Sequence, residues 1–165
     1  MELHLHSHHW VARSPDWTAA AVSGFVGGAV IMVMKLFWST MVLDISPWAA
    51  SHLVAAMLMG PDVLQSTAFS FSVVTVALLT HYVLGMLFGM ALAAIIAPFH
   101  FDSSLGMVLL TGAAFGLVLY LLNFYGMIRL FPWFAEMRNW VTVLSQVLFG
   151  MSSALMYINL ERQEK

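Results

Sequence analysis

The chain has 165 residues, of which 61% are hydrophobic and only 8% are charged, whereas soluble domains average about 25% charged residues. This composition excludes a soluble globular domain. The formal net charge of -2 leaves no basic surface for nucleic acid, and the lack of cysteine excludes disulfides and thiolate metal sites.

Four stretches with few or no charges predict the membrane spans. A Lys, Arg or Asp at the bilayer centre costs roughly 2.5 to 3.5 kcal/mol on insertion scales, so the rare charges delimit apolar segments of about 20 residues or more, enough to cross. We expect an all-α integral membrane protein, a four-helix bundle over residues 18–160 with spans at 18–41, 70–97, 105–127 and 140–160. A His-rich tail, 1–17, and a polar tail, 161–165, flank this domain.

The amino-terminal tail is rich in histidine, and imidazole suits copper and zinc. With an even number of spans, the tail faces the same compartment as the loop between spans two and three, whose side chains could complete a site. The sequence therefore predicts a copper or zinc site, with a metal-free tail as the alternative. The candidate ligands are His4, His6, His8, His9, His100 and Asp102.

Two connections predict short interfacial helices. In the first, Ser46-Pro47 is a typical helix start and Gly60-Pro61 a typical stop, which predicts a helix over 47–59. At 1.5 Å per residue this helix covers about 20 Å, too little to cross the bilayer. The third connection, 129–140, mixes aromatic and charged residues, as headgroup-level anchors do.

Small residues recur four apart in the spans and predict close helix packing. Such ridges let helix backbones approach where lipid provides no hydrophobic driving force between helices. A tight bundle accounts for them, and any ridge that faces outward would instead dock another protein. The ridge glycines are Gly24, Gly28, Gly85, Gly89, Gly112, Gly116 and Gly150.

Four polar residues fall in one half of the membrane, on the side of the two interfacial segments: Lys35, His81, Asn123 and Gln146. Lipid offers no hydrogen bonds, so such side chains face the bundle interior or a partner. We interpret Lys35 either as a side chain that extends to the headgroups or as one paired with a carboxylate, for which the candidates are Asp44, Asp62 and Glu136.

His81 lies near the middle of span two, on the same face as Gly85 and Gly89. One interpretation is a neutral histidine hydrogen-bonded to Gln146 or to a threonine hydroxyl. The others are a haem ligand, a quinone contact, a proton relay or a contact with a partner subunit. A haem held by two histidines of this chain is disfavoured because no second deep histidine exists.

The sequence contains none of the common enzyme motifs, such as a phosphate-binding glycine loop or a His-Glu-x-x-His helix, so we predict that the chain is not an enzyme by itself. Its ridges and aromatic connections favour a non-catalytic accessory subunit of a larger membrane complex, for example a copper- or haem-containing oxidase or monooxygenase. The alternatives are a small oligomeric transporter or channel-like protein, whose polar path the four polar residues would line, and a metal-handling protein. Expected partners are the lipid bilayer and either partner subunits or further copies of the chain.

Several stretches of the chain resemble a family of small bacterial four-span membrane proteins, some of which are labelled sodium:proline symporters. Symporters of that kind use many more helices, broken around an ion site. The resemblance covers roughly residues 17–160 and implies the four-span fold and a bacterial inner membrane, with no chemistry attached. The stretches are Ser51-His52-Leu-Val-Ala-Ala-Met-Leu-Met-Gly-Pro61-Asp62, His81-Tyr-Val-Leu-Gly85, Asn123-Phe-Tyr-Gly126 and Phe131-Pro-Trp-Phe-Ala-Glu-Met-Arg138-Asn-Trp140.

Overall fold

The computed structural model describes residues 13–41 and 45–163, and every regular element within those residues is helical. The five α-helices are α1 (Trp17–Met41), α2 (Ala49–Met59), α3 (Phe71–Phe99), α4 (Leu105–Leu121) and α5 (Trp140–Gln163). Short 3₁₀ segments follow α2 at Pro61–Gln65 and precede α5 at Met127–Arg129 and Pro132–Met137, and a π-helical turn, Leu122–Gly126, continues α4.

Four of these helices are long and apolar enough to cross a membrane, so this is an integral membrane protein built as a four-helix bundle. The spans are Trp17–Met41, Phe71–Phe99, Leu105–Arg129 and Trp140–Gln163, each within a few residues of its predicted bounds. The fourth runs past its predicted end at residue 160 because Glu161 is buried in its last turns and has a cationic partner.

The short helix α2 lies beside α3 rather than crossing the bundle. It ends at Gly60, whose φ of 90° is a conformation that glycine adopts readily, followed by Pro61. The buried ring of His52 contacts the carbonyl oxygens of Val63 and Ala68, at 2.6 Å and 2.9 Å. His52 thus fixes the turn that follows α2 to the helix itself.

The helices form a curved row in the order α3, α1, α5, α4. Helix α1 packs along both α3 and α5, and α4 packs along α5, whereas α3 and α4 at the two ends of the row hardly touch. Three of the four neighbouring helix pairs in the bundle are therefore closely packed, and the pair α3 and α4 is not.

The ridge glycines bring helix backbones into direct contact inside the bundle. A Cβ placed on Gly24 would overlap the backbone of Gly85 and Gly89, and one placed on Gly112 would overlap the backbone of Gly150. The other ridge glycines also meet atoms of a neighbouring helix in this chain. The predicted ridges are thus used within the bundle.

One half of the bundle is solid, and we name it the closed half. It contains the start of α1, the end of α3, the start of α4 and the end of α5. Its core consists of side chains with little or no exposed surface: Ala20, Ala93, Ala97, Val108, Ala154 and Tyr157.

Arg13 ties the outer end of the closed half together. Its guanidinium donates to Asp102 in the α3–α4 loop and to Glu161 at the end of α5, each at 3.0 Å. Asp16 adds two contacts, since its carboxylate accepts from the backbone of Ala19 at 2.9 Å and its backbone N–H donates to the Tyr157 hydroxyl at 3.2 Å. The segment before α1 is therefore attached to three other parts of the chain.

The glycine contact between α4 and α5 gives a test with a matched control. We expect Gly112→Ala to lower the free energy of unfolding by about 1 to 3 kcal/mol, because overpacking forces two backbones apart. Gly106→Ala in the same helix meets no atom within 4 Å, so it should be neutral or slightly stabilising, since alanine loses less conformational entropy than glycine. Unfolding in mixed micelles measures both, and equal stability of the two variants contradicts this packing.

The Arg13 contacts predict a pH-dependent stability. Partial burial by itself raises the pKa of Asp102, but the hydrogen bond and charge of Arg13, with a smaller contribution from His100, hold that pKa below its ordinary value. A carboxylate whose pKa is lowered by folding stabilises the folded state at any pH above its pKa in the unfolded chain, which is about 4. This stabilisation is lost as the pH falls towards and through the lower pKa of the folded protein.

Arg13→Gln should therefore cost roughly 1 to 3 kcal/mol at neutral pH, between the values for exposed and buried pairs. The difference from wild type should shrink as the pH falls below about 4. Arg129→Gln, at an exposed arginine, is the control. A difference that stays constant throughout an acid titration of unfolding contradicts the role of Asp102.

Candidate functional site

The other half of the bundle encloses a cavity of about 260 Å³, which we name the bundle cavity. All four spans contribute to it, together with α2 and the connection before α5. Its walls are mainly apolar and aromatic, and the larger wall side chains are Ile31, Leu84, Phe88, Phe124, Phe134 and Phe149.

The bundle cavity begins where close backbone contact between α1 and α3 ends. At Gly24 an added Cβ would meet the backbone of α3, but at Gly28, one turn further on, it would meet the ring of His81 at 3.3 Å. The imidazole therefore occupies the space between the two helices at this level.

The structure brings the four predicted polar residues to this one cavity. Lys35 comes from α1, His81 from α3, Asn123 from the π-helical turn and Gln146 from α5. Residues from four different spans thus place polar atoms on one mainly apolar wall. Pockets with this composition, a few convergent polar groups in an apolar lining, are typical of small-molecule sites.

Gln146 lines the bundle cavity without a hydrogen-bond partner in the described part of the chain. It is only 9% exposed, and within residues 13–41 and 45–163 its side chain makes no hydrogen bond; the same is true of the Asn123 side chain. Both amides line the bundle cavity, so a molecule held there can satisfy them.

Lys35 makes no ion pair within the described part of the chain, where the ion pairs are those of Arg13. Two of its predicted partners, Asp62 and Glu136, are exposed elsewhere on the surface, and the third, Asp44, lies outside the described residues. No Asp or Glu among the described residues lines the cavity. The ammonium therefore faces an apolar space that carries no compensating charge from those residues.

The predicted hydrogen-bond partner of His81 is wrong. Its Nε2 lies 2.9 Å from the carbonyl oxygen of Gly28, rather than from Gln146 or a threonine hydroxyl. Because a carbonyl only accepts, Nε2 carries the hydrogen and donates it, which leaves Nδ1 of the neutral ring as an acceptor. A glycine carbonyl is accessible to this ring because Gly28 has no side chain to cover it.

The π-helical turn that presents Asn123 was not predicted. In this turn the N–H of Met127 bonds to the carbonyl of Leu122, five residues back. Arg138 Nε donates to the carbonyl of Phe124 at 2.6 Å, and its guanidinium lies 4.1 Å from the centre of the Tyr125 ring. Arg138 thus stabilises a local widening of the kind often found at functional sites.

Two short segments cover the end of the bundle cavity. Helix α2 contributes Met57, and the 3₁₀ segment before α5 contributes Phe134 and Met137. They are joined by a hydrogen bond of 3.0 Å from the indole N–H of Trp133 to the carbonyl of Leu53. The two connections predicted to be interfacial therefore form one cover.

A second cavity, of about 280 Å³, lies beneath α2 between α1 and α3, and we name it the side cavity. It shares Lys35, Val54 and His81 with the bundle cavity. These residues stand at the junction of two spaces, and the side cavity leads from the region of Ser39 and Trp48 towards the bundle cavity.

The predicted metal site falls largely outside the described residues, since His4, His6, His8 and His9 precede residue 13. Of the remaining candidates, Asp102 accepts a hydrogen bond from Arg13, and His100 is the left-handed residue that ends α3, with φ of 55°. Among the described residues, no three His, Cys, Asp or Glu side chains cluster as a metal site. Copper or zinc binding by the tail stays a prediction.

Searches against protein-family models, curated proteins and solved structures find no match to this chain. The function therefore has to follow from the residues that the fold brings together, and the resemblance to a small bacterial four-span family stays a prediction.

Replacing Gln146 gives a test of stability. In protein free of bound molecules, Gln146→Leu should raise the free energy of unfolding by about 1 kcal/mol, because it replaces an unpaired amide in a mainly apolar wall with an apolar side chain. Gln163→Leu, at an exposed position of the same helix, should leave stability nearly unchanged. Unfolding curves in detergent measure the stability of both variants against wild type. A Gln146→Leu protein that is less stable than wild type would show that the amide has a stabilising partner.

Proposed function

We propose that this protein is a small membrane carrier that binds a largely apolar molecule with a polar head group in the bundle cavity. The observation that carries the proposal is the convergence of Lys35, Asn123 and Gln146, none paired through its side chain within the described residues, on one apolar cavity. Polar groups placed in a membrane at this cost are typically functional.

A carrier fits the shape of the bundle better than a channel. The cavity occupies one half of the membrane, and the closed half has a packed core with Ala20, Ala93 and Tyr157 fully buried. A bound molecule would therefore enter from the half of the membrane that contains α2, past the cover formed by α2 and the 3₁₀ segment before α5. Release to the other side would require the closed half to open, and the Arg13 contacts with Asp102 and Glu161 would have to break for this movement.

The accessory-subunit prediction loses part of its basis. One of its grounds was that some ridges face outward, whereas the ridge glycines pack against neighbouring helices within this chain. Its other grounds, the aromatic connections and the lack of enzyme motifs, are unchanged, and the accessory role stays a prediction. Partner subunits, self-association and a bacterial inner membrane stay predictions that follow from the sequence and its resemblance. The carrier proposal holds for a single chain and for an oligomer, because the bundle cavity is built from one copy.

Native mass spectrometry of protein extracted gently from its own membrane tests the proposal. We expect wild type to retain a bound small molecule that dissociates on collisional activation, and Gln146→Leu to retain much less of it, because the substitution removes a polar partner of the ligand. Gln163→Leu should behave as wild type.

Two results would contradict the carrier proposal. The first is a wild-type mass equal to that of the bare chain under the gentlest release conditions. The second is equal retention by wild type and Gln146→Leu, which would place any bound molecule elsewhere on the protein.

A further inference from the structure

We propose that the molecule held in the bundle cavity is an apolar molecule with a single carboxylate, of about ten non-hydrogen atoms in all. This inference rests on the proposed function and adds the chemical class of the ligand. It follows from the charge of the cavity, from its volume and from the position of its polar groups.

The charge of the cavity favours a monoanion. Lys35 is the one Lys or Arg among the described residues that line the bundle cavity, and no described Asp or Glu lines it. A buried charge is stabilised when it is paired and hydrogen-bonded. One carboxylate neutralises one ammonium. A neutral ligand would leave Lys35 without a charge partner among the described residues and the ligand, and a phosphate dianion would bring an excess negative charge into an apolar site.

The other polar groups that line the bundle cavity suit a carboxylate as well. A carboxylate accepts hydrogen bonds only, and the amide groups of Gln146 and Asn123 each carry two N–H donors. Hydrogen bonds between donors and an ionised acceptor are about twice as strong as neutral ones. These amides line the bundle cavity but not the side cavity, so the apolar body of the ligand lies in the bundle cavity.

The volume of the bundle cavity limits the size of the whole ligand. A cavity of about 150 Å³ binds benzene, which has six non-hydrogen atoms. With the same volume per atom, the bundle cavity of about 260 Å³ accommodates roughly ten non-hydrogen atoms. Four phenylalanine rings contribute to the wall: Phe88, Phe124, Phe134 and Phe149. Ring faces and edges of this kind pack well against an aromatic or short aliphatic body.

Three probes of nearly equal size separate charge from shape: phenylacetate, phenylacetamide and 2-phenylethylammonium. Each has about ten non-hydrogen atoms, the number estimated from the volume, and none forms micelles that would disturb a protein in detergent. Titration calorimetry on the purified full chain at neutral pH gives the three affinities. We expect phenylacetate to bind about tenfold or more tightly than phenylacetamide, the ratio for a hydrogen bond to a charged group, and the ammonium to bind weakest.

Variants identify the cation responsible. Lys35→Met should remove the preference for phenylacetate over phenylacetamide, and Lys35→Arg should retain it because the charge is kept. Arg129→Met, which removes an exposed cation outside the cavity, should leave the preference unchanged. If Lys35→Met does not fold, the comparison of wild type with Lys35→Arg and Arg129→Met still measures the charge preference.

The outcomes separate the ligand class from the function. Equal affinities for phenylacetate and phenylacetamide, or a preference that Arg129→Met abolishes, would overturn the carboxylate assignment while native mass spectrometry still supports a carrier. Absence of binding by all three probes would also overturn it. A bound molecule that mass spectrometry identifies as neutral or dianionic would do the same and leave the carrier proposal standing.

Discussion

Direct contact between helix backbones at small residues determines the shape of this bundle. In lipid no hydrophobic driving force brings helices together, so close packing has to supply the free energy of association. At Gly24 and Gly112 the neighbouring backbones approach so closely that no Cβ fits. The helices therefore meet tightly at these levels, and towards α2 the space between α1 and α3 is occupied by the His81 ring. The bundle cavity follows from the same constraint that holds the closed half together.

Polar side chains in that cavity are the basis of the proposed function, because the described residues leave several of them without a partner. The described residues provide His81 with the Gly28 carbonyl, and they provide Arg138 with the carbonyl of the π-helical turn. Gln146 and Lys35 receive no such partner from them, in a region where water is scarce and an unpaired group is costly. A site that gives up stability in this way is typical of binding and catalytic positions, where the missing interactions are completed by a ligand.

Much of the fold could be predicted from the sequence because it depends on local composition. Scarce charges delimit the spans, and Gly60-Pro61 ends α2 as expected. The four polar residues could be assigned to one half of the membrane from their depth alone. Their convergence on one cavity is one of several alternatives that the sequence leaves open, because it does not show which faces of α1, α3 and α5 meet. Arg13 contacts Glu161, and Arg138 stabilises the π-helical turn, in each case across a distance along the chain. No local sequence pattern predicts either contact.

The lack of cysteine makes the central claim, a reachable cationic cavity beside a solid half, directly measurable. Single cysteines at Asn123 in the cavity, Ser23 in the buried core and exposed Ser66 can be reacted with small anionic and cationic methanethiosulfonates. With rates normalised to Ser66→Cys, we expect Asn123→Cys to react, faster with the anionic than with the cationic reagent, and Ser23→Cys to stay unmodified. An Asn123→Cys protein as unreactive as Ser23→Cys, or one that favours the cationic reagent, would contradict the cavity as described.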